Sequence, residues 1–200
     1  RDGTYNTPKD YMTFEVGKAA IDFLIEKSGK RQNLEVDFFG GEPLMNMNVV
    51  KQIVEYAKAE TAKAGKIINF TMTTNGILLN EENRKWLNDN MTNVVISIDG
   101  REEVHDKLRV TPNGKGCQSL ILKNALEFRK IRGDKSYYIR GTYTKNNLDF
   151  CKDVLYLNDK GFDQISVEPV VLPESDDLAI KPCDMPVVMN EYDKLAREYV

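Results

Sequence analysis

Cysteine, histidine and excess charge of either sign are scarce in this sequence. Its 200 residues include three cysteines, one histidine and one tryptophan, and 28 basic residues face 31 acidic ones, for a net charge of −3. Cys117, Cys151 and Cys183 lie far apart, which excludes both a disulfide framework and a close-set metal site. Because no basic excess is present, nucleic acid is not expected as a partner.

Long apolar runs are missing as well. No segment approaches the roughly 20 apolar residues that a membrane helix needs, and no signal peptide opens the chain. We therefore predict a cytoplasmic protein in a reducing compartment, with no membrane partner. The chain begins at Arg1 without a methionine, and Val200 falls inside a predicted helix. We expect the functional unit to be longer than these residues.

The sequence does contain a regular alternation of helical and extended patterns. After a first helix at 13–27, strands are predicted at 34–39, 67–73, 93–98, 137–143 and 164–171. Helices follow them at 48–64, 80–90, 120–132, 148–160 and 184–200, with a polar loop at 101–116. Such alternation predicts a parallel sheet, either doubly wound or part of a (β/α) barrel. In both folds the functional site lies at the carboxyl ends of the strands.

Candidate ligand-binding residues stand at those strand ends. Paired glycines let a ligand approach the backbone, a carboxylate can hold an ammonium, and an arginine can hold a carboxylate in bidentate fashion. Together they suit a zwitterionic amino-acid ligand. The motifs in chain order are Gly40-Gly41-Glu42-Pro43, Thr74-Asn75-Gly76, Ser97-Ile98-Asp99-Gly100, Arg140-Gly141-Thr142 and Glu168-Pro169.

These motifs resemble those of radical S-adenosylmethionine (SAM) enzymes. Gly40 to Pro43 matches the GGEP motif, Thr74 to Gly76 the TNG segment, and Ser97 to Arg109 is similar to an SxDG…HDxxR stretch. The order and spacing are most similar to maturases of six-cysteine peptides (ranthipeptides), which carry a SPASM extension. The resemblance implies an α/β fold, a partial (β/α)6 TIM-like barrel truncated at both ends. Residues 1–200 would then form one core domain fragment.

The resemblance also implies the cofactors and their ligands. The family binds SAM at a [4Fe–4S] cluster held by a CxxxCxxC loop, and reductive cleavage of SAM gives a 5′-deoxyadenosyl radical. Glu42 is expected at the SAM amino group and Arg140 at its carboxylate, while Glu168 faces either the adenosine or the peptide. The expected SAM-binding residues are Gly40, Gly41, Glu42, Pro43, Thr74, Asn75, Ser97, Asp99, Arg140 and Glu168.

The sequence departs from the family in one large respect, since CxxxCxxC is absent. It would lie just before Arg1, and the SPASM cysteines beyond Val200. No metal ligand is therefore assigned in these residues, no catalytic residue is named, and the fragment alone is expected to be inactive. His105 is interpreted as ordering its loop through a hydrogen bond with Asp106 or Arg109. For Arg140, the alternative to SAM is a surface ion pair.

The implied function is thioether crosslinking of a cysteine-rich ribosomal precursor peptide, with ferredoxin or flavodoxin as electron donor. Two alternatives share the scaffold. One is an anaerobic sulfatase maturase that forms formylglycine, and the other is a peptide-binding module that kept the barrel and lost the cluster. A barrel for sugar or nucleotide phosphates is disfavoured, because residues 167–177 contain no phosphate-binding glycine loop.

Overall fold

The computed structural model describes residues 10–199, in which five β-strands alternate with seven α-helices. The strands are β1 (Asn33–Phe38), β2 (Ile67–Thr74), β3 (Asn93–Ser97), β4 (Ser136–Tyr143) and β5 (Ile165–Pro169). The helices are α1 (Phe14–Lys27), α2 (Met47–Lys63), α3 (Glu81–Asn90), α4 (Glu102–Leu108), α5 (Gln118–Arg132), α6 (Phe150–Asp159) and α7 (Met185–Glu198). The five predicted strands are confirmed. Residues 1–9 and 200, which the predicted domain and last helix include, lie outside the described residues.

The strands are all parallel and hydrogen-bonded in chain order, β1-β2-β3-β4-β5. A doubly wound sheet reverses its strand order partway, whereas this one grows in a single direction. Right-handed crossovers then place every connecting helix on the same face. The barrel alternative is therefore confirmed, and the sheet is part of a (β/α) barrel. All strands end at one edge, which we call the site edge.

The hydrophobic core lies between the sheet and its helices. Alternate strand residues such as Phe70, Met72, Ile96 and Ile139 point toward the helices and are at most 1% exposed. Burial of each such side chain contributes roughly 1.5–3 kcal/mol. The helices bury one face each, and none of those described is long and apolar enough to cross a bilayer.

The other strand positions face away from the helices and form what we call the inner face. Their neighbours in the sheet follow from the register, in which Ser97 pairs with Arg140 and Arg140 with Ser166. Barrel interiors are usually filled by Val, Ile and Leu, but this face is mostly polar. It consists of Asn33, Glu35, Asp37, Ile67, Asn69, Thr71, Thr73, Asn93, Val95, Ser97, Ser136, Tyr138, Arg140, Thr142, Ser166 and Glu168.

The segment 101–116 was wrongly predicted to be a polar loop, because it contains α4. This helix has a single fully buried residue, His105, and its Leu108 is 42% exposed. Apolar periodicity therefore gives no sign of it. Helix α5 also begins earlier than predicted, since the Asp106 carboxylate accepts hydrogen bonds from the N–H groups of Cys117 (2.8 Å) and Gln118 (2.9 Å).

Candidate functional site

Glu42 links the ends of β1 and β2 at the site edge. Its Oε1 accepts hydrogen bonds from the Leu44 N–H (3.0 Å) and the Thr74 hydroxyl (2.7 Å). Its Oε2 accepts one from the Asn75 N–H (2.7 Å). The carboxylate is half-buried, and Oε2 retains the capacity for a further donor. The structure thus brings together three predicted site residues, Glu42, Thr74 and Asn75.

Gly40 and Gly41 form an open turn beside this carboxylate. Their φ angles are +94° and +52°, in the region that favours glycine, and no atom lies within 4 Å of a Cβ built on either residue. Glycine is therefore required by conformation, while the space around the backbone stays free. Pro43 begins the short 3₁₀ helix Pro43–Asn46 that leads into α2. The turn exposes backbone groups at the site edge to a ligand.

The Asn75-Gly76 dipeptide makes a tightly packed turn. Gly76 has φ +76°, and a Cβ there would lie 2.8 Å from the Ile121 side chain. The Thr74 hydroxyl accepts a hydrogen bond from the Gly76 N–H (3.0 Å), and Asn75 Oδ1 accepts one from Ile77 N–H (3.0 Å). These contacts show that Asn75 and Gly76 stabilise the turn itself, and they fix the positions of the Thr74 and Asn75 backbones.

Arg140 lies on the inner face of β4 and pairs with Glu168 of β5. Its Nη2 is 2.5 Å from Glu168 Oε2, and the two side chains are 43% and 49% exposed. Ser97 is the neighbour of Arg140 on the other side. The guanidinium is therefore held at the site edge by a half-exposed ion pair, and an incoming carboxylate would compete with Glu168 for it.

Asp99 is buried and its carboxylate accepts three hydrogen bonds within the protein. Arg109 binds it through Nε (2.7 Å) and Nη2 (3.0 Å), and the Thr142 N–H donates to it as well (3.0 Å). The backbone of Gly141 packs so closely against Asp99 that a Cβ on Gly141 would lie 3.3 Å from its Cα. Asp99 thus joins the ends of β3 and β4, the two strands that carry Ser97 and Arg140.

His105 is fully buried behind Asp99. Its Nδ1 accepts a hydrogen bond from the Asp99 N–H (3.2 Å), so the proton of the neutral ring lies on Nε2, which faces the Cys117 sulfur at 3.7 Å. The residue does order its loop, but the predicted partners Asp106 and Arg109 were wrong. The bond is made to the Asp99 backbone, because α4 turns the ring toward the strand end.

A metal ion does not suit this cluster. His105, Asp106 and Cys117 are the one group of potential metal ligands found among residues 10–199, with ligand atoms within 4.8 Å of one another. Metal binding through Nε2 would require a proton on Nδ1, and Nδ1 already faces an N–H donor. The Asp106 carboxylate is also used to cap α5. We therefore assign the cluster a structural role.

Stability should depend on pH through His105. Burial lowers its pKa below the usual 6.5, so the unfolded chain binds a proton that the folded chain excludes. The free energy of unfolding should fall as pH drops below about 6.5, by up to about 1.4 kcal/mol per pH unit, and His105 should contribute no slope above it. His105→Asn keeps an acceptor near the Nδ1 position and should remove this slope in urea unfolding. Identical slopes in both proteins would contradict the assignment.

The three cysteines do not form a cluster site. Cys117 and Cys151 are buried in separate parts of the core, where burial raises the pKa of each thiol, and Cys183 is exposed. No group of neighbouring ligands in the described part of the chain contains more than one of them. The three thiols thus lie apart in space as they do in the sequence, and they do not suit a [4Fe–4S] cluster.

A second buried network lies beside the site edge and has no counterpart in the predicted motifs. The Arg101 side chain binds Asp153 through Nε (2.7 Å) and Asp149 through Nη2 (2.9 Å). Gly100, with φ +132°, lies where a Cβ would come 2.3 Å from the Asp153 side chain. The sequence around Arg101 does not indicate this network. Its partners Asp149 and Asp153 lie at the start of α6, about fifty positions later in the chain.

Comparison with known proteins places these features in context. Residues 5–121 match the model of the 4Fe-4S single cluster domain. The chain is 30% identical over 172 residues to the uncharacterized protein MJ0907 of Methanocaldococcus jannaschii, covering 86% of this chain and 57% of that one. It is 33% identical over 94 residues to a cysteine-type anaerobic sulfatase-maturating enzyme of Clostridium novyi, and 30% identical over 130 residues to the radical SAM cyclopropyl synthase TigE of Paramaledivibacter caminithermalis.

These two matches cover 46% and 64% of this chain, and 25% of each relative. Among solved structures, anSMEcpe with bound AdoMet has a TM-score of 0.85 at 22% identity, over 100% of this chain and 55% of that one. The same protein with AdoMet and the Kp18Cys peptide has a TM-score of 0.84 at 23% identity, over 98% and 56%. At this identity the likeness is one of fold. The matched regions span a quarter to somewhat over half of the length of these relatives.

Proposed function

Because the chain belongs to the 4Fe-4S single cluster domain family, and with it to the radical SAM superfamily, we propose that it forms the SAM-binding core of a peptide-modifying enzyme. One observation carries the proposal. The open Gly40-Gly41 turn, the Glu42 carboxylate and the Arg140 guanidinium all lie at the carboxyl ends of parallel strands on a polar inner face. This is the arrangement that a zwitterionic ligand needs.

Each end of the ligand has a matching group. Oε2 of Glu42 has one protein donor and can accept a second hydrogen bond from the SAM ammonium. Arg140 can hold the SAM carboxylate in bidentate fashion once Glu168 releases it. The Ser97 hydroxyl lies beside Arg140 in the sheet, while Asp99 holds the two strands together rather than contacting the ligand.

SAM in this superfamily supplies a carbon radical that abstracts hydrogen from the substrate, and the reducing electron comes from a [4Fe–4S] cluster. The cysteines of this chain do not fit that cluster. We therefore propose that its ligands are supplied from outside these 200 residues, together with an electron donor such as ferredoxin or flavodoxin. The part played by this chain is to bind and orient SAM and to admit a peptide to the inner face.

Thioether crosslinking of a cysteine-rich precursor peptide is the reaction we favour, on the order and spacing of the strand-end motifs. Formylglycine formation is the second candidate, supported by the relatives that mature sulfatases. Mass spectrometry of a cysteine peptide treated with the complete enzyme separates them. A thioether crosslink removes two hydrogens and keeps the sulfur, whereas formylglycine formation from cysteine removes the sulfur. An enzyme without cluster cysteines would support the binding-module alternative instead.

The SAM site can be tested on this chain by calorimetric titration with SAM. Arg140→Met should weaken binding by about tenfold or more, since charge-assisted hydrogen bonds contribute about 1.5–3 kcal/mol. Glu168→Gln should tighten binding a few-fold, because the SAM carboxylate no longer displaces another carboxylate from Arg140.

Arg197→Met is the control for this titration, since it removes an equal charge from the exposed face of α7 and should leave affinity unchanged. Equal affinities for Arg140→Met and Arg197→Met would overturn the proposed site. A loss of affinity in Glu168→Gln would instead make Glu168 a direct contact of SAM.

A further inference from the structure

One row of side chains on the inner face has no part in the proposed SAM site. Asp37 of β1 pairs in register with Thr71 of β2, and Thr71 pairs with Asn93 of β3. The row runs obliquely across the sheet, from Asp37 next to the carboxyl end of β1, through Thr71 in the middle of β2, to Asn93 at the amino end of β3. It offers a carboxylate, a hydroxyl and a carboxamide on three adjacent strands, whose Cα atoms are about 4.8 Å apart from one strand to the next.

Asp37 is a carboxylate without a counter-ion. None of the ion pairs or hydrogen bonds among residues 10–199 involves its side chain. The residue is exposed, yet partial desolvation raises its pKa, and the positive charge of Arg140 opposes that shift. On the same face, Arg140 already forms an ion pair with Glu168. The row therefore carries one negative charge that forms no ion pair among the described residues.

Asn93 has an acceptor without a donor. Its Oδ1 is buried and makes no hydrogen bond, and it is the one such side-chain atom found in the described part of the chain. Buried polar atoms nearly always have a partner, so an orphan acceptor indicates a group that binds there. The side chain as a whole is only partly buried, and a donor on the inner face would reach Oδ1 after a rotation about χ2.

We propose that Asp37, Thr71 and Asn93 form a subsite for a primary ammonium group of the peptide substrate. An ammonium carries three N–H donors and no acceptor, and the row supplies three acceptors, one of them charged. A guanidinium presents a planar fork of donors and suits three acceptors on a curved sheet less well. The inference rests on the proposed function, because the peptide reaches the inner face only if that face is the substrate site.

The subsite would fix the register of the peptide. A lysine side chain or a free amino terminus held at the row would lie deeper in the barrel than SAM at the site edge. The distance between the two then determines which residue of the peptide meets the reacting group. Asp37 would be a specificity-determining residue, which contacts substrate without taking part in SAM binding.

The test is an NMR titration of the ¹⁵N-labelled chain with small probes. Nα-acetyl-lysine N-methylamide should bind saturably and shift the amide signals around Asp37, Thr71 and Asn93. Nα-acetyl-norleucine N-methylamide, which has no ammonium, should bind at least about tenfold more weakly. Alanine N-methylamide, which has a free α-amine, distinguishes an amino terminus from a lysine side chain as the source of the ammonium.

Asp37→Asn should weaken binding of the lysine probe by about tenfold, and Asp159→Asn, at the exposed end of α6, should leave it unchanged. Equal binding of the lysine and norleucine probes, or of wild type and Asp37→Asn, would overturn the subsite. SAM titration keeps the two proposals apart. Asp37→Asn should bind SAM as wild type does, whereas Arg140→Met should lose SAM and keep the lysine probe.

Discussion

Replacing Arg132 by Met is expected to lower the free energy of unfolding by about 4 kcal/mol. Arg132 is 2% exposed and forms an ion pair with no carboxylate among residues 10–199. Instead it donates to the carbonyls of Ser136 (2.6 Å), Met91 (3.1 Å) and Thr92 (2.8 Å). Burial lowers its pKa to about 10, so the guanidinium stays charged at neutral pH. Met fills the space but removes the donor of all three carbonyls, and a hydrogen bond from a charged group contributes about 1.5–3 kcal/mol.

Urea unfolding followed by circular dichroism measures this loss. Lys130→Met is the matched control, because Lys130 lies on the same helix in an exposed pair with Glu127 and should change stability by less than about 1 kcal/mol. Arg132→Lys should fall between the two, since an ammonium offers fewer donors than a guanidinium. Equal midpoints for Arg132→Met and Lys130→Met would show that the carbonyls find other donors.

Glu42→Gln is expected to affect both stability and ligand binding. All three groups that contact the carboxylate are donors, from Leu44, Thr74 and Asn75. A glutamine NH₂ would have to face at least one of them, and that bond is lost. We expect a decrease of about 2 kcal/mol in the free energy of unfolding, and SAM binding weakened by about tenfold or more.

Two controls separate these effects. Glu55→Gln removes an equal charge from the exposed face of α2 and should change neither property. Thr74→Val removes one hydrogen bond of Glu42 but leaves its charge, so it should reduce stability and largely retain SAM binding. If Glu42→Gln lost stability and bound SAM as wild type does, Glu42 would be a link between strands and no ligand contact.

The sequence alone was sufficient to predict the five strands and the edge of the sheet at which the candidate site lies. The strands carry short apolar stretches, such as Val94-Val95-Ile96, and β1, β2 and β3 are each followed closely by a glycine-containing turn. These are local signals, and parallel topology follows from the helices between them. Alternation alone did not decide between an open sheet and a barrel. That choice depends on strand order, which is a property of long-range pairing.

Helix α4 could not be predicted, because tertiary contacts rather than its own pattern hold it. Its anchor is a polar residue, His105, whose partner is a backbone N–H at the end of β3. The early start of α5 has the same origin, since its cap comes from Asp106 in the preceding helix. A cap eleven positions away in sequence does not resemble any local capping motif.

Side-chain partners at the site edge also depended on register. Arg140 was expected either at SAM or in a surface ion pair, and the structure pairs it with Glu168, 28 positions later. Asp99 was expected at SAM, and the structure shows its carboxylate bound by Arg109 and by the Thr142 N–H. The sequence gives no sign that Asp37 and Asn93 belong to the inner face, because neither residue is part of a motif. Their inner-face position emerges only once the burial of alternate residues is known.

Each strand of the sheet after β1 pairs with the strand that precedes it in the chain, so the order of pairing follows the order of synthesis. As a nascent chain leaves the ribosome, each new strand finds the strand synthesised just before it, so pairing never waits for a distant partner. Paired strands are separated by a single crossover and never by the whole chain, which limits the entropic penalty of loop closure. The sheet can therefore form by stepwise addition of strand–helix units, much as repeat proteins grow. A translational pause after any unit would leave the finished strands already paired.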